Sequence, residues 1–340
     1  MRVAFYTLGC KLNQAETESL ANRFSQAGFQ LVTPGDGADI YIANTCTVTH
    51  IADRKSRHWL RLARRRNPQA LIIATGCYAQ RSRQELAPLA DFVVDNKEKE
   101  HLLALTQTLS LEGRGPGEDE TKQSQMPAAT VRTRSLIKIQ DGCHSPCTYC
   151  IVPKVRPHEY SSPASQIIDE VKQKVALGHK EVVLTGTKVG SYRDAVLSAS
   201  EGSSTNLRDL VQRILRDTGI ERLRLSSLQP SEISSEFLAL WQDERLCRHF
   251  HLALQSGSET VLQRMRRSYS LDQYQRTLNL VKEMIPEVVI TTDIMVGFPG
   301  KAMKSLNRAT LFVSRLVSLT SMSSPSHPAP RQRQPGCPNR

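Results

Sequence analysis

Long apolar runs are missing from this chain. None of its stretches approaches 18 apolar residues, aromatics make up 5% of it, and its mean hydropathy is −0.37, so no membrane-spanning helix is expected. The start, MRVAFYTLGCKLNQ, lacks an apolar core followed by a small-residue cleavage site, so no secretory leader is expected either. Both absences point to the cytoplasm, where thiols stay reduced and clustered cysteines bind metal or do redox chemistry more often than they pair. Acidic residues are absent from 301–340, which carry seven Lys/Arg and so +7 of the net +12; the first 300 residues hold 38 basic and 33 acidic, only +5. The overall pI of 9.5 therefore overstates the case for a nucleic-acid partner, and a local signal is needed. No repeat period of the solenoid kind is visible.

What is present alternates regularly. Residues 3–8, 40–44, 71–75 and 92–95 are short apolar runs separated by amphipathic stretches, including 13–28 and a basic one ending at Arg66. Buried-looking strands alternating with helices predict βαβ units and a parallel sheet over residues 1–106. Residues 107–133 are polar and rich in Gly, Pro, Ser and Thr, a linker composition. A second series follows in 134–300, with strands expected at 135–140, 181–186, 222–227, 250–255 and 288–297. Helices are expected near 163–177, 206–217, 232–242 and 258–284. Five βα units with right-handed crossovers make part of a β/α barrel. Residues 301–340 hold a possible short element at 311–317, and their last twenty residues hold five prolines; this segment reads as a disordered tail.

Three of the eight cysteines, Cys143, Cys147 and Cys150, stand in DGCHSPCTYC just past the first strand of the second series. The C-terminal ends of barrel strands are where barrel active sites sit. A structural zinc site takes four ligands in two pairs; here three thiols share one loop, and His144 is poorly placed to be a fourth beside Cys143. A thioredoxin-like pair would explain Cys147 and Cys150 but not Cys143. A [4Fe–4S] cluster takes one thiolate per iron, so three thiolates leave one iron open to a substrate or cofactor. The alternatives are a zinc knuckle finished by a distant ligand and plain buried thiols.

The C-x3-C-x2-C loop at the mouth of a partial barrel resembles the radical S-adenosylmethionine (SAM) superfamily. That resemblance implies an open iron that chelates the amino and carboxylate groups of SAM, and one-electron cleavage to a 5′-deoxyadenosyl radical. Tyr149 matches the aromatic usual between the second and third cysteines, with a packing role as its alternative. By the same resemblance Gly186 would lie at the methionine amine, Gln255 and Ser256 near the carboxylate and ribose, and Val296 to Phe298 near adenine. Each of these is also explained by an ordinary βα turn.

Cys10, Cys46 and Cys77 look scattered, yet they close VAFYTLGC, IYIANTC and LIIATGC, each ending an expected strand. In a parallel sheet such ends emerge on one edge, the edge where open α/β sheets place ligands. Three thiols would therefore converge, against a default of separate core cysteines. A cysteine-bearing α/β domain ahead of a radical-SAM barrel resembles the methylthiotransferase family. The resemblance covers residues 1–300. It implies an N-terminal doubly wound parallel-sheet domain followed by a partial barrel, two [4Fe–4S] clusters, SAM, and an auxiliary cluster at Cys10, Cys46 and Cys77 on which the transferred sulfur is built. TLGCKLNQAETE (7–18), NTCTVTHIADRKSR (44–57) and GCYAQ (76–80) resemble the branch that modifies C2 of N6-threonylcarbamoyladenosine 37 in tRNA.

Two alternatives stand beside this reading: methylthiolation of a ribosomal protein, and an inactive Fe–S- or zinc-binding remnant. The expected partners are tRNA at its anticodon loop and an electron donor such as a flavodoxin or ferredoxin, with the chain itself a monomer and no membrane involved. For RNA contact, residues 54–66 carry seven Lys/Arg and no acid. Arg54, Arg57, Arg61 and Arg64 or Arg65 recur at helical spacing beside Cys46. Trp59 is assigned to the core, with base stacking left open. Arg156, matching a family arginine after the third cysteine, joins the RNA candidates against a plain surface role.

Departures from the family pattern are Pro157 for Gly, Lys188 for Asn, Gln229 for Glu and Ala253 for Pro. After Gly300 the acidic helix, last barrel strand and C-terminal TRAM β-barrel of the family are not recognised. A frameshifted or otherwise disrupted end is expected, and with it weaker tRNA affinity.

Overall fold

The computed structural model describes residues 1–113, 133–194, 205–295, 297, 298, 311 and 312. The first unit is a five-stranded parallel sheet of β1 (Arg2–Thr7), β2 (Gln30–Val32), β3 (Ile40–Thr45), β4 (Leu71–Gly76) and β5 (Phe92–Val93), in the order β2-β1-β3-β4-β5. Four of these strands fall where the apolar runs place them. β2 was not expected: its three residues form an exposed edge too short to carry a period-2 signal.

β3 is buried along its whole length, and its alternation serves both faces of the sheet. Tyr41 and Ala43 join Ile72, Ala74, Leu60 and Trp59 on one side, while Ile40 and Ile42 join Val3, Ile73, Leu20 and Phe24 on the other. Trp59 is a core residue: it stacks on Tyr6 at 4.4 Å and meets Tyr41 edge-on, which removes it from base stacking.

The second unit continues with β6 (Arg134–Lys138), β7 (Gln140–Asp141), β8 (Tyr160–Ser161), β9 (Glu181–Thr185), β10 (Arg193–Asp194), β11 (Thr205–Asn206), β12 (Arg222–Leu225), β13 (His249–His251) and β14 (Val289–Thr291). β12, β9 and β6 pair in parallel, as do β13 and β14. Isolated parallel bridges, Leu223 to Leu246 and Leu228 to Leu252, carry the curvature from β12 to β13. The five strands of the expected partial barrel are all present, with two short antiparallel pairs, β7–β8 and β10–β11, added at its rim.

Helices Ala164–Ala176 and Leu207–Asp217 cover the outer face. The stretch expected as one helix over 258–284 is two, Glu259–Arg264 and Leu271–Met284. Arg266 turns to φ 54°, and Ser270 with Gln273 forms a capping box that starts the second helix. Residues 232–242 hold only the single turn Ser235–Leu238 flanked by 3-10 turns.

The helix Lys11–Gln26 belongs to both units. Leu20 and Phe24 pack on the first sheet, whereas Ala15 packs against Leu136 of β6 and Val183 of β9. This shared helix brings the C-terminal edges of the two sheets toward each other. Among the described residues no helix is long and apolar enough to cross a membrane.

Candidate active site

The first three cysteines stand at the ends of neighbouring strands. Cys10, Cys46 and Cys77 directly follow the loop or strand ends of β1, β3 and β4, three neighbours in the sheet. The register Thr7–Asn44, Asn44–Thr75 and Thr45–Gly76 keeps those ends level. In this strand order the chain reverses direction between β1 and β3, the crevice where doubly wound sheets bind ligands, and Cys10 and Cys46 flank it. A Cβ on Gly9 would lie 2.9 Å from Cys46 Sγ, so the Cys10 loop passes directly over that sulfur. Gly76 has φ +97°, and a side chain there would stand 2.4 Å from the Thr45 carbonyl oxygen; only glycine lets β4 deliver Cys77 beside Cys46. Burial pushes the Cys46 thiol up, opposed by the Val48 backbone N–H and reinforced by Cys77 and Cys10.

Asn13 fixes the loops that carry this trio. Its Nδ2 donates to the Leu8 and Thr45 carbonyls at 2.8 and 3.2 Å, joining the Cys10 and Cys46 turns.

The second trio sits beyond β7. Cys150 N–H donates to the Cys147 carbonyl at 3.1 Å, and Ser145 N–H to Cys143 Sγ at 3.4 Å. Burial raises the Cys150 thiol, opposed by the Val152 backbone N–H and reinforced by Cys147 and Cys143. His144 turns outward: its Nε2 meets the Pro157 carbonyl and its Nδ1 lies 3.7 Å from Glu159, so it is not the fourth ligand.

Arg267, which the sequence did not single out, donates from Nη1 toward Cys147 Sγ at 3.5 Å and the Tyr149 hydroxyl at 3.3 Å. Its guanidinium lies over the Tyr269 ring. Burial holds the Tyr149 phenol up at about 12, so it stays protonated at neutral pH. Arg267 comes 117 residues after Cys150 in sequence and lies within the break in the expected 258–284 helix; only the fold brings it to the loop.

The expected SAM-site residues Gly186, Gln255 and Ser256 lie in the turns that follow β9 and β13. Gly186 follows β9 and lies against Gln140: a Cβ there would meet the Gln140 carbonyl oxygen at 2.8 Å. Gln140 Nε2 donates to the Asp141 and Gly142 carbonyls, and its Oε1 accepts from Thr187 Oγ1 and Lys188 N–H, which ties the cysteine loop to the β9 turn. Gln255 stands at φ 64°, a left-handed conformation uncommon for such a residue and characteristic of sites under functional constraint. Ser256 is fully buried beside it. Val296 lies outside the described residues, and Phe298 is half-buried beyond it. Lys188 sits near Glu232, and Gln229 accepts from Ser268 Oγ while its N–H caps Glu232, so both departures from the family pattern are accommodated.

Arg156 is a correction. It is 5% exposed, a buried side chain between the two units, and cannot touch RNA. Arg57 is a second: its Nη1 is taken by the Tyr78 hydroxyl and by Glu85 at 3.3 Å, and Arg64 is held by Asp91 at 2.6 Å. The open cationic face of the helix His50–Arg66 is Arg54, Arg61 and Arg65, all exposed.

Both trios are free thiols among the described residues. No three His, Cys, Asp or Glu side chains there close on a single metal ion. In donor chemistry, three thiols without a fourth suit a cubane cluster with one iron left over, so the residue types fit the two groups that the resemblance implies.

Comparison with known proteins agrees. Residues 2–95 match the uncharacterized protein family UPF0004, and residues 137–313 match the radical SAM superfamily, a match that runs past Gly300. The threonylcarbamoyladenosine tRNA methylthiotransferase MtaB of Aquifex aeolicus is 38% identical over 327 residues, covering 93% of this chain and 78% of the relative. MtaB of Bacillus subtilis is 38% identical over 311 residues, 88% of this chain and 67% of the relative. A tRNA-2-methylthio-N(6)-dimethylallyladenosine synthase of Syntrophomonas wolfei is 34% identical over 313 residues, 88% and 69%. Among solved structures, the radical SAM methyltransferase TsrM of Kitasatospora setae superposes with a TM-score of 0.66 at 15% identity, covering 94% of this chain and 71% of that one; it shares the fold. The chain belongs to the radical-SAM methylthiotransferase family.

Proposed function

We propose that this enzyme methylthiolates C2 of N6-threonylcarbamoyladenosine 37 in tRNA, in the cytoplasm, with Cys143, Cys147 and Cys150 holding one [4Fe–4S] cluster and Cys10, Cys46 and Cys77 the other. The observation that carries the reading is the placement of Cys10, Cys46 and Cys77 at neighbouring strand ends beside the β1/β3 crevice, joined through Arg156 to the loop that bears Cys143. An adenine C2–H is neither acidic nor electrophilic, so acid–base catalysis has little purchase on it and a radical route is required. When bound, the loop cluster with SAM supplies that radical chemistry and the trio cluster supplies the sulfur.

The chain's own residues bind and orient. Arg267 fixes Cys147 and Tyr149, Gln140 holds the cysteine loop against the Gly186 turn, and the strained Gln255 turn with buried Ser256 offers polar atoms at the strand ends where the methionine and ribose of SAM would lie. Arg54, Arg61 and Arg65 offer positive charge beside the Cys46 turn for the anticodon loop's phosphates. Residues 1–106 and 134–300 are the two working domains in this reading, with an electron donor of the flavodoxin or ferredoxin type as partner. The choice of threonylcarbamoyladenosine rests on KLN after Cys10 and on the names of the relatives at 38% identity.

The test is mass analysis of nucleosides from digested tRNA of cells with and without the gene. Loss of the methylthio group from threonylcarbamoyladenosine alone supports the reading. An unchanged tRNA profile with loss of a methylthio group from a ribosomal protein overturns it.

A further inference from the structure

The buried contact between the two units is charged. Arg156 Nη1 donates to Glu16 Oε1 at 2.8 Å and to Asp141 at 2.8 and 2.6 Å; Nη2 donates to Asn13 Oδ1 and Glu16 Oε2, each at 3.0 Å. Lys99 Nζ meets Glu16 Oε2 at 2.6 Å, and Lys138 Nζ meets Glu16 and Asp141 at 3.3 Å. Glu16 belongs to the shared helix, Asp141 to β7, and Lys99 to the first unit. Three cations against two carboxylates leave one positive charge in excess. The remaining nitrogen of the arginine fork faces a sulfur: Arg156 Nε lies 3.4 Å from Cys77 Sγ. The same residue's carbonyl accepts from the Cys143 N–H at 3.3 Å.

We propose that Arg156 is a positioning residue that couples the two thiol trios, its side chain holding and hydrogen-bonding the Cys77 sulfur while its backbone anchors the Cys143 loop. The proposal rests on the reading that Cys10, Cys46 and Cys77 hold a cluster. A hydrogen bond and an uncompensated positive charge at a cluster thiolate favour the more negative, reduced state and raise its potential. Guanidinium alone can serve this geometry, because its nitrogens face two carboxylates and a sulfur at once; lysine carries a single nitrogen and must choose among them. Asn13 and Glu16 complete the device by orienting the fork from the helix that follows Cys10.

The experiment uses the full chain with Cys143, Cys147 and Cys150 all changed to Ala, so that only the first trio can bind iron, with Arg156, Arg156→Lys or Arg156→Gln. Iron and sulfide are counted after anaerobic reconstitution, and the midpoint potential is read by EPR during a redox titration. The expected result is a full cluster in the Arg156 parent and in Arg156→Lys, with the potential of Arg156→Lys moved to more negative values and that of Arg156→Gln moved further. Arg156→Lys keeps the charge and the length, so it tests the contact even where Arg156→Gln fails to fold. A parent without iron overturns the cluster reading and the proposal together. A parent and variants with full clusters and one common potential overturn the proposal alone.

Discussion

Arg156 Nε stands 3.4 Å from Cys77 Sγ, and the two residues belong to different units, 79 positions apart in sequence. The contact makes the relative placement of the two cysteine trios a property of a buried polar network and not of the linker between the units. Its carboxylate centre, Glu16, would be raised by burial alone, but Lys99, Arg156 and Lys138 hold it well below the usual carboxylate range.

Stability should therefore depend on pH through Glu16. A carboxyl whose folded pKa is depressed contributes fully above its unfolded value and loses that contribution as pH falls toward the folded one. Urea unfolding of the reduced apo chain should show a decline in stability below about pH 4.5 that Glu16→Gln flattens. At pH 7 the same substitution should cost about 3–5 kcal/mol, because it leaves buried Lys99 without its carboxylate and Arg156 with Asp141 alone. Equal stability of the two chains at pH 7 would contradict this role.

Gly76→Ala tests the geometry of the first trio. The strained φ and the contact with the Thr45 carbonyl leave no room for a methyl group. The expected outcome is a loss of stability of roughly 1–3 kcal/mol and a selective loss of iron, with the Cys143 loop still loaded. Iron counting in a Gly76→Ala chain that also lacks the three loop cysteines checks this: the iron should fall, and a full cluster would show that β4 needs no glycine to deliver Cys77.

The RNA face divides by partner. Arg54 and Arg61 are exposed, whereas Arg57 is committed to Tyr78 and Glu85. Replacing Arg54 and Arg61 by Ala should weaken binding of an anticodon stem-loop and reduce the slope of log K against log salt by about 1.4, two single-strand phosphate contacts at ~0.7 each. Arg57→Ala should leave that slope unchanged and lower stability instead. Fluorescence titrations at several salt concentrations separate the two. A changed slope in Arg57→Ala would return that residue to the RNA surface.

Much of this architecture was legible before the fold. The trio was readable because position at a strand end is a local property: VAFYTLGC, IYIANTC and LIIATGC each announce their own geometry, and parallel pairing does the rest. The Cys143 loop was readable because its three cysteines are neighbours in sequence. Arg156 was not. Its partner Glu16 lies 140 residues away, and a lone arginine after a cysteine motif looks the same in sequence whether it meets solvent or a buried carboxylate.

Arg267 was hidden for a related reason, being placed by a helix break that only the φ of Arg266 and the Ser270 cap reveal. The cationic face of His50–Arg66 was half right. Spacing gives a set of arginines but not which of them the neighbouring Glu85 and Asp91 will take. Residues 301–340 lie outside the described residues apart from Leu311 and Phe312.

Iron and sulfide analysis of the anaerobically reconstituted chain beside Cys147→Ala, with SAM cleavage assayed on the same samples, tests the central claim most directly. The account predicts about eight irons per chain falling to about four in the variant, with SAM cleavage lost. Unchanged metal content and undiminished SAM cleavage in Cys147→Ala would contradict it.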